Sequence, residues 1–264
     1  MLSLGLAPLD RLLAGGLPLG ALHEIRSAET RAAGAAHGFT TALIALLARA
    51  DPRPFLWVSE AGAAREAGVP YGPGLARFGL DPGRLITVNV EKPGEALWVF
   101  EEGLRCAGLA AVIAEIQGNP AILDLTASRR LALRAGDSGV TGFLLRPGGA
   151  AEPGAALTRW QVAPRQAGAA DFSFLLGQPA WRLGLERNRL GPAGTFDVEW
   201  DHAERAFREP VRAPAALPVT PPALPSDRPD RAAGEVVAFV QPVRETGASR
   251  DRGQGKKRAA AGGA

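Results

Sequence analysis

Short apolar runs alternate with helical segments over the first 145 residues, and this alternation constrains the fold more than any other feature. The apolar runs are residues 21–25, 55–59, 85–90, 110–116 and 140–145. Runs that are apolar throughout are typical of parallel strands buried on both faces. Because strands alternating with helices indicate βαβ units, the sequence predicts an α/β protein with a mostly parallel sheet flanked by helices.

The pattern changes after residue 156, where polar and apolar side chains begin to alternate. The alternating segments are residues 157–162, 181–187 and 195–200. They predict antiparallel strands added C-terminally at one edge of the sheet. Their tryptophans, Trp160, Trp181 and Trp200, have the chemistry to stack on nucleobases, but packing in the core or between strands is the commoner role and is the one we expect.

Two of the predicted helices carry groups of charged side chains. In the helix over residues 93–107, the periodicity places Glu101 and Glu102 on the face toward water. The helix over residues 124–135 carries three arginines, which we interpret as a solvated face. These are Arg129, Arg130 and Arg134.

The stretch from residue 27 to residue 47 lies where an α/β protein places a phosphate-binding loop. A predicted strand precedes it and a predicted helix over residues 40–49 follows it. This context of strand, small-residue loop and helix is the one that the motif G-x-x-x-x-G-K-[ST] requires. The chain is therefore expected to contain the scaffold of such a loop.

The motif itself is incomplete. Gly38 and Thr40 are retained, but Phe39 stands at the lysine position and Ala33 at the first glycine. A phosphate loop works through backbone N–H groups, the lysine charge and a hydroxyl on Mg²⁺. The first lysine of the chain is Lys92, so none nearby replaces it. His37, beside Gly38, is interpreted as an ordinary loop histidine.

The C-terminal part has a different composition. Residues 210–229 contain seven prolines, and residues 210–264 carry nine basic and five acidic residues, which leaves residues 1–209 with a net charge of −1. We predict a core over 1–209 and a disordered tail over 210–264. The core lacks the broad positive surface of a nucleic-acid-binding domain, whereas the basic end of the tail is expected to attract DNA weakly, if DNA is touched at all.

An apolar island interrupts the tail at residues 235–243. Its side chains Val236, Val237, Phe239 and Val240 are predicted to form a partner-docking segment that orders on binding. Packing of the island on the core as an edge strand is an equally weighted alternative.

Cellular location is predicted from the cysteine content and from the patterns of targeting and membrane segments. The single cysteine, Cys106, excludes an intrachain disulfide and is expected to pack as a small apolar residue. No signal-peptide pattern or membrane-length apolar run is present. These features predict a cytoplasmic protein without a membrane partner.

The succession of segments resembles the RecA-like superfamily. Residues 6–25 are similar to the stretch before the phosphate loop, and residues 56–60 to the strand that ends in a catalytic carboxylate, here Glu60. Residues 111–116 resemble the Walker B strand, with Glu115 at its acidic position. Arg146 ends the segment that resembles a phosphate-sensing strand.

Within that superfamily the chain is most similar to the ImuA family of inducible mutagenesis proteins, which lack a functional Walker A motif. The residues carrying this resemblance are Arg159-Trp160-Gln161-Val162, Gly177-Gln178-Pro179-Ala180-Trp181-Arg182, Glu186-Arg187-Asn188-Arg189 and Glu199-Trp200-Asp201. The resemblance implies a non-catalytic accessory role in damage-induced translesion synthesis, without a cofactor. It also implies an ImuB-like partner and an error-prone DnaE-type polymerase.

Two other functions remain as alternatives. In an atypical ATPase of DNA repair, Glu60 would polarise water and Glu115 would hold Mg²⁺, with Gly38, Phe39 and Thr40 as the remnant of the ATP site. Both carboxylates need a nucleotide already held in place, so we interpret them as structural or vestigial. A cell-division inhibitor of the SulA type is the third possibility, although such proteins are shorter than this chain.

Overall fold

Nine strands form a single mixed sheet in the computed structural model, which describes residues 1–165 and 177–210. In chain order the strands are β1 (Leu22–Ser27), β2 (Phe55–Glu60), β3 (Leu85–Val90), β4 (Ala111–Glu115), β5 (Thr141–Pro147), β6 (Thr158–Pro164), β7 (Ala180–Asn188), β8 (Gly194–Asp201) and β9 (Ala206–Arg208). The predicted tail and its apolar island lie outside the described residues, apart from Pro210.

Six α-helices accompany the sheet in the described part of the chain. They are α1 (Ala7–Leu12), α2 (Ala33–Ala50), α3 (Ala61–Ala67), α4 (Gly72–Phe78), α5 (Pro93–Arg105) and α6 (Leu125–Ser138). Local sequence fixes several of their ends. Glu95 accepts the backbone N–H of Lys92 at the start of α5, and Asp124 accepts the N–H of Ala127 at the start of α6. Gly139 ends α6 with a φ of 74°.

The strand order is β3-β2-β4-β5-β1-β6-β7-β8-β9. Every pair from β3 to β6 is parallel, and β7, β8 and β9 extend the sheet in antiparallel fashion. The prediction that all three alternating segments are antiparallel additions was wrong for the first of them. β6 pairs in parallel with β1 and in antiparallel fashion with β7, because the chain crosses over from β5 before entering it.

Helices cover both faces of the parallel region, which explains why its central strands β2 and β4 are buried throughout and mostly apolar. α2 lies on one face, over Ile25, Phe143 and the tryptophans of the C-terminal strands. α5 and α6 lie on the other, over Val58 and Val112. The expected core packing of Trp160, Trp181 and Trp200 is confirmed, because none is more than 3% exposed. Nucleobase stacking on these side chains is thereby excluded.

Two surface predictions were wrong. Glu101 is buried at the contact of α5 with α6, where Arg105 and Arg130 donate to its carboxylate at 3.0 and 2.6 Å. Arg130 of α6 therefore contributes to the packing of α6 against α5, and the α6 arginines are not only a solvated face. Cys106, expected inside, is exposed just after the end of α5. Across the described residues no helix is long and apolar enough to cross a membrane.

Candidate functional site

Residues 33–39 do not form the expected phosphate loop. A short 3₁₀ turn over Thr30–Ala32 follows β1, and α2 begins at Ala33, seven residues before the predicted helix start at Thr40. The stretch from 33 to 39 is therefore two turns of helix. Alanines occupy three of its first four positions, and alanine is the residue with the lowest cost of entering a helix.

Each residue at motif positions 38–40 has a packing or helix-internal contact. Gly38 lets an indole approach α2, because a Cβ there would lie 3.1 Å from a ring carbon of Trp181. The Phe39 side chain is fully buried, with ring centroids 5.7 Å from Trp160 and 5.8 Å from Phe207. The Thr40 hydroxyl donates to the carbonyl of Ala36 at 2.8 Å within the helix. Phe39 is thus part of the core that joins α2 to the antiparallel strands.

Glu60 caps a helix. Its carboxylate accepts the backbone N–H groups of Gly62 and Ala63 at the start of α3, at 2.8 and 3.3 Å, and that of Gln117 at 3.3 Å. Gly62 leaves room for this cap, since a Cβ would stand 2.8 Å from a carboxylate oxygen. Both carboxylate oxygens therefore hold backbone at the carboxyl ends of β2 and β4.

Glu115 lies at the end of β4 with no solvent exposure, and it is paired with His37 of α2. The Nε2–H of His37 donates to one carboxylate oxygen at 2.7 Å. Ser59 Oγ lies 3.3 Å and Trp57 Nε1 3.5 Å from the other oxygen. The His37 ring also stacks on Trp57, with centroids 5.9 Å apart. The interpretation of His37 as a loop histidine was wrong, since it lies in a helix and faces the Walker B position.

The arrangement favours a charged imidazole. The Nδ1–H of His37 donates to the carbonyl of Ala33 at 2.7 Å, so both ring nitrogens face acceptors and both need a proton. Burial opposes the charge, but the hydrogen bond and the negative charge of Glu115 outweigh it and raise the pKa of His37. A positively charged imidazole is thus favoured beside Glu115, where an ATPase would hold its Mg²⁺.

A second buried histidine, His23 of β1, is held neutral. Its Nε2–H donates to the carbonyl of Pro18 at 2.8 Å, and Nδ1 lies 2.7 Å from the Thr158 hydroxyl, which supplies the proton of that bond. Burial lowers the pKa of His23 to about 4. The two histidines therefore respond to pH in opposite ways.

We expect the free energy of unfolding to be highest near the ordinary histidine pKa of about 6.5. Because the pKa of His37 is raised in the folded protein, the stability that its charged form contributes is complete below that pH. This stability is lost as the pH rises through the folded-state pKa. The lowered pKa of His23 makes its contribution complete above that pH and lost as the pH falls toward 4, by about 3 kcal/mol in all. Urea titrations from pH 4.5 to 9 measure both limbs. His37→Gln should flatten only the alkaline limb, and an unchanged alkaline slope in this variant would contradict the assignment.

Arg146 belongs to a buried charge cluster on the α6 side of the sheet. It is 3% exposed, donates to Glu24 Oε1 at 3.1 Å and holds the carbonyl of Gly118 at 2.9 Å. Arg159 donates to the other oxygen of Glu24 at 2.8 Å. One carboxylate on β1 is thus shared by arginines of β5 and β6, which are the two neighbours of β1 in the sheet.

Arg187 and Arg189, which belong to the motif that resembles the ImuA family, hold the crossover from β5 to β6. This segment, residues 148–157, contains no helix. Arg187 donates to the carbonyl of Gly154, and Arg189 donates to the carbonyls of Gly154 and Ala156, each at 3.3 Å. Arg159 donates to the carbonyl of Glu152. Sequence reasoning assigned these arginines no role; their close spacing after a strand was the available signal.

Of the predicted site residues, the structure places Glu60 and Glu115 on neighbouring strands, and it adds His37, which was interpreted as an ordinary loop histidine. His37 and Glu115 are in contact, and Glu60 lies one strand away on the neighbouring β2. Gly38, Phe39 and Thr40 do not join this pair. They contact Trp181, Trp160 and the carbonyl of Ala36, respectively. The proposed docking residues Val236, Val237, Phe239 and Val240 lie outside the described residues.

Comparisons with known proteins give two kinds of similarity. The chain is 37% identical over 211 residues to Protein ImuA of Caulobacter vibrioides, in both strain NA1000 / CB15N and strain ATCC 19089 / CIP 103742 / CB 15, which covers 74% of this chain and 82% of each relative. The structure is similar to the crystal structure of the RadB recombinase, with a TM-score of 0.54 and 18% identity over 80% of this chain and all of that one. No protein-family profile matches. The predicted RecA-like α/β fold is confirmed.

Proposed function

The chain belongs to the ImuA family, and from this membership we propose that it is a non-catalytic RecA-like accessory protein of damage-induced mutagenesis. It acts in translesion synthesis through contacts with an ImuB-like protein and an error-prone DnaE-type polymerase. It turns over no nucleotide and needs no cofactor.

The pairing of His37 with Glu115 carries the non-catalytic part of this proposal. A Walker-type site needs a free carboxylate, a metal ion and a loop of backbone N–H groups around the phosphates. Here the carboxylate of Glu115 is hydrogen-bonded by Nε2 of His37, 2.7 Å away. The backbone of residues 33–39 forms helix α2 instead of a loop.

The surroundings of this pair support the same conclusion. The cavity beside His37, between the start of α2 and residues 67–78, has a volume of about 190 Å³. Ligand pockets are usually about 300–1,000 Å³.

Titration with ATP and Mg²⁺ tests this proposal directly. We expect no saturable binding up to millimolar nucleotide, and no phosphate release above the blank, because the positions for the phosphates and the metal are taken by protein groups. A RecA-type ATPase with an intact motif is the positive control in the same assay. Turnover similar to that control, abolished by Thr40→Val or Glu115→Gln, would support the atypical ATPase instead.

Capture by an immobilised ImuB-like protein tests the partner assignment. We expect Val237→Asp/Phe239→Asp in the full chain to abolish capture, because charge at these positions removes the apolar island. Val219→Asp, in the proline-rich segment, is the matched control and should bind like the wild type.

The thermal midpoint separates the two interpretations of the island. The double variant should keep the wild-type midpoint if the island serves docking. A midpoint lower by several degrees would mean that the island packs on the core. Failure of the wild-type chain to be captured would reject the partnership itself.

A further inference from the structure

We draw no further inference here: the strongest candidate, the groove of about 410 Å³ between α1 and the open edge of β8, runs beside the last described residues, Glu209 and Pro210, and nothing in the described part of the chain shows what covers it.

Discussion

Phe39→Lys is expected to unfold the protein rather than to create a nucleotide site, although it restores the lysine of the motif. The Phe39 side chain has no solvent exposure and contacts Trp160, Trp181 and Phe207. Truncating a buried phenylalanine to alanine costs about 3–5 kcal/mol. A lysine at this position also takes an ammonium group out of water without a partner, which costs more.

This loss of stability is large compared with the total free energy of unfolding. Domains of this kind are stable by about 5–15 kcal/mol, so Phe39→Lys should leave a large unfolded fraction. The midpoint of urea unfolding measures the effect, with Phe39→Leu as a variant that keeps most of the apolar volume. Leu133→Lys introduces the same side chain on an exposed helix face and should change stability by less than about 0.5 kcal/mol.

One result would contradict this expectation. If Phe39→Lys folded with wild-type stability and bound ATP, residues 33–39 would have to leave the helix and form a phosphate loop. The core would then have to tolerate the loss of the ring that joins α2 to β6 and β7. We also expect no ATP turnover in this variant, since Ala33 lacks the freedom of glycine to adopt positive φ.

Most of the parallel strands could be predicted because they are buried on both faces and are therefore largely apolar. β2 and β4 are examples, with every residue buried. The start of α2 could not be predicted by aligning a motif. The alanines at 33, 35 and 36 indicate helix by propensity, whereas the alignment with a phosphate loop assigned the same residues to a loop. The local preference decided the structure.

The contacts of the candidate site depend on the topology and left no local pattern. His37 and Glu115 are 78 residues apart, and they meet because α2 follows β1 while β4 lies two strands away in the sheet. Glu101 has the spacing of a solvated helix residue, and only the packing of α5 against α6 reveals its partner Arg130. Pairs of this kind appear once strand order is known.

Glu24→Gln is expected to destabilise the protein by about 3–5 kcal/mol, the usual cost of removing one partner from a buried ion pair. Glu24 is 3% exposed, and it is the carboxylate to which Arg146 and Arg159 both donate. Glutamine keeps the shape and loses the charge, so two buried guanidinium groups lose the anion that they share, and Arg146 keeps only the half-exposed carboxylate of Glu152, at 3.4 Å. Urea unfolding measures the loss.

A matched control separates burial from charge. Asp197→Asn also removes a carboxylate shared by two arginines, Arg165 and Arg182, but this group lies at the surface. Exposed pairs contribute about 0–1 kcal/mol, so the control should lose far less. Arg159 also holds the carbonyl of Glu152, so Glu24→Gln should expose residues 148–157 to limited proteolysis before global unfolding. A loss below about 1 kcal/mol, equal to that of the control, would mean that water reaches the cluster and that it does not anchor the crossover.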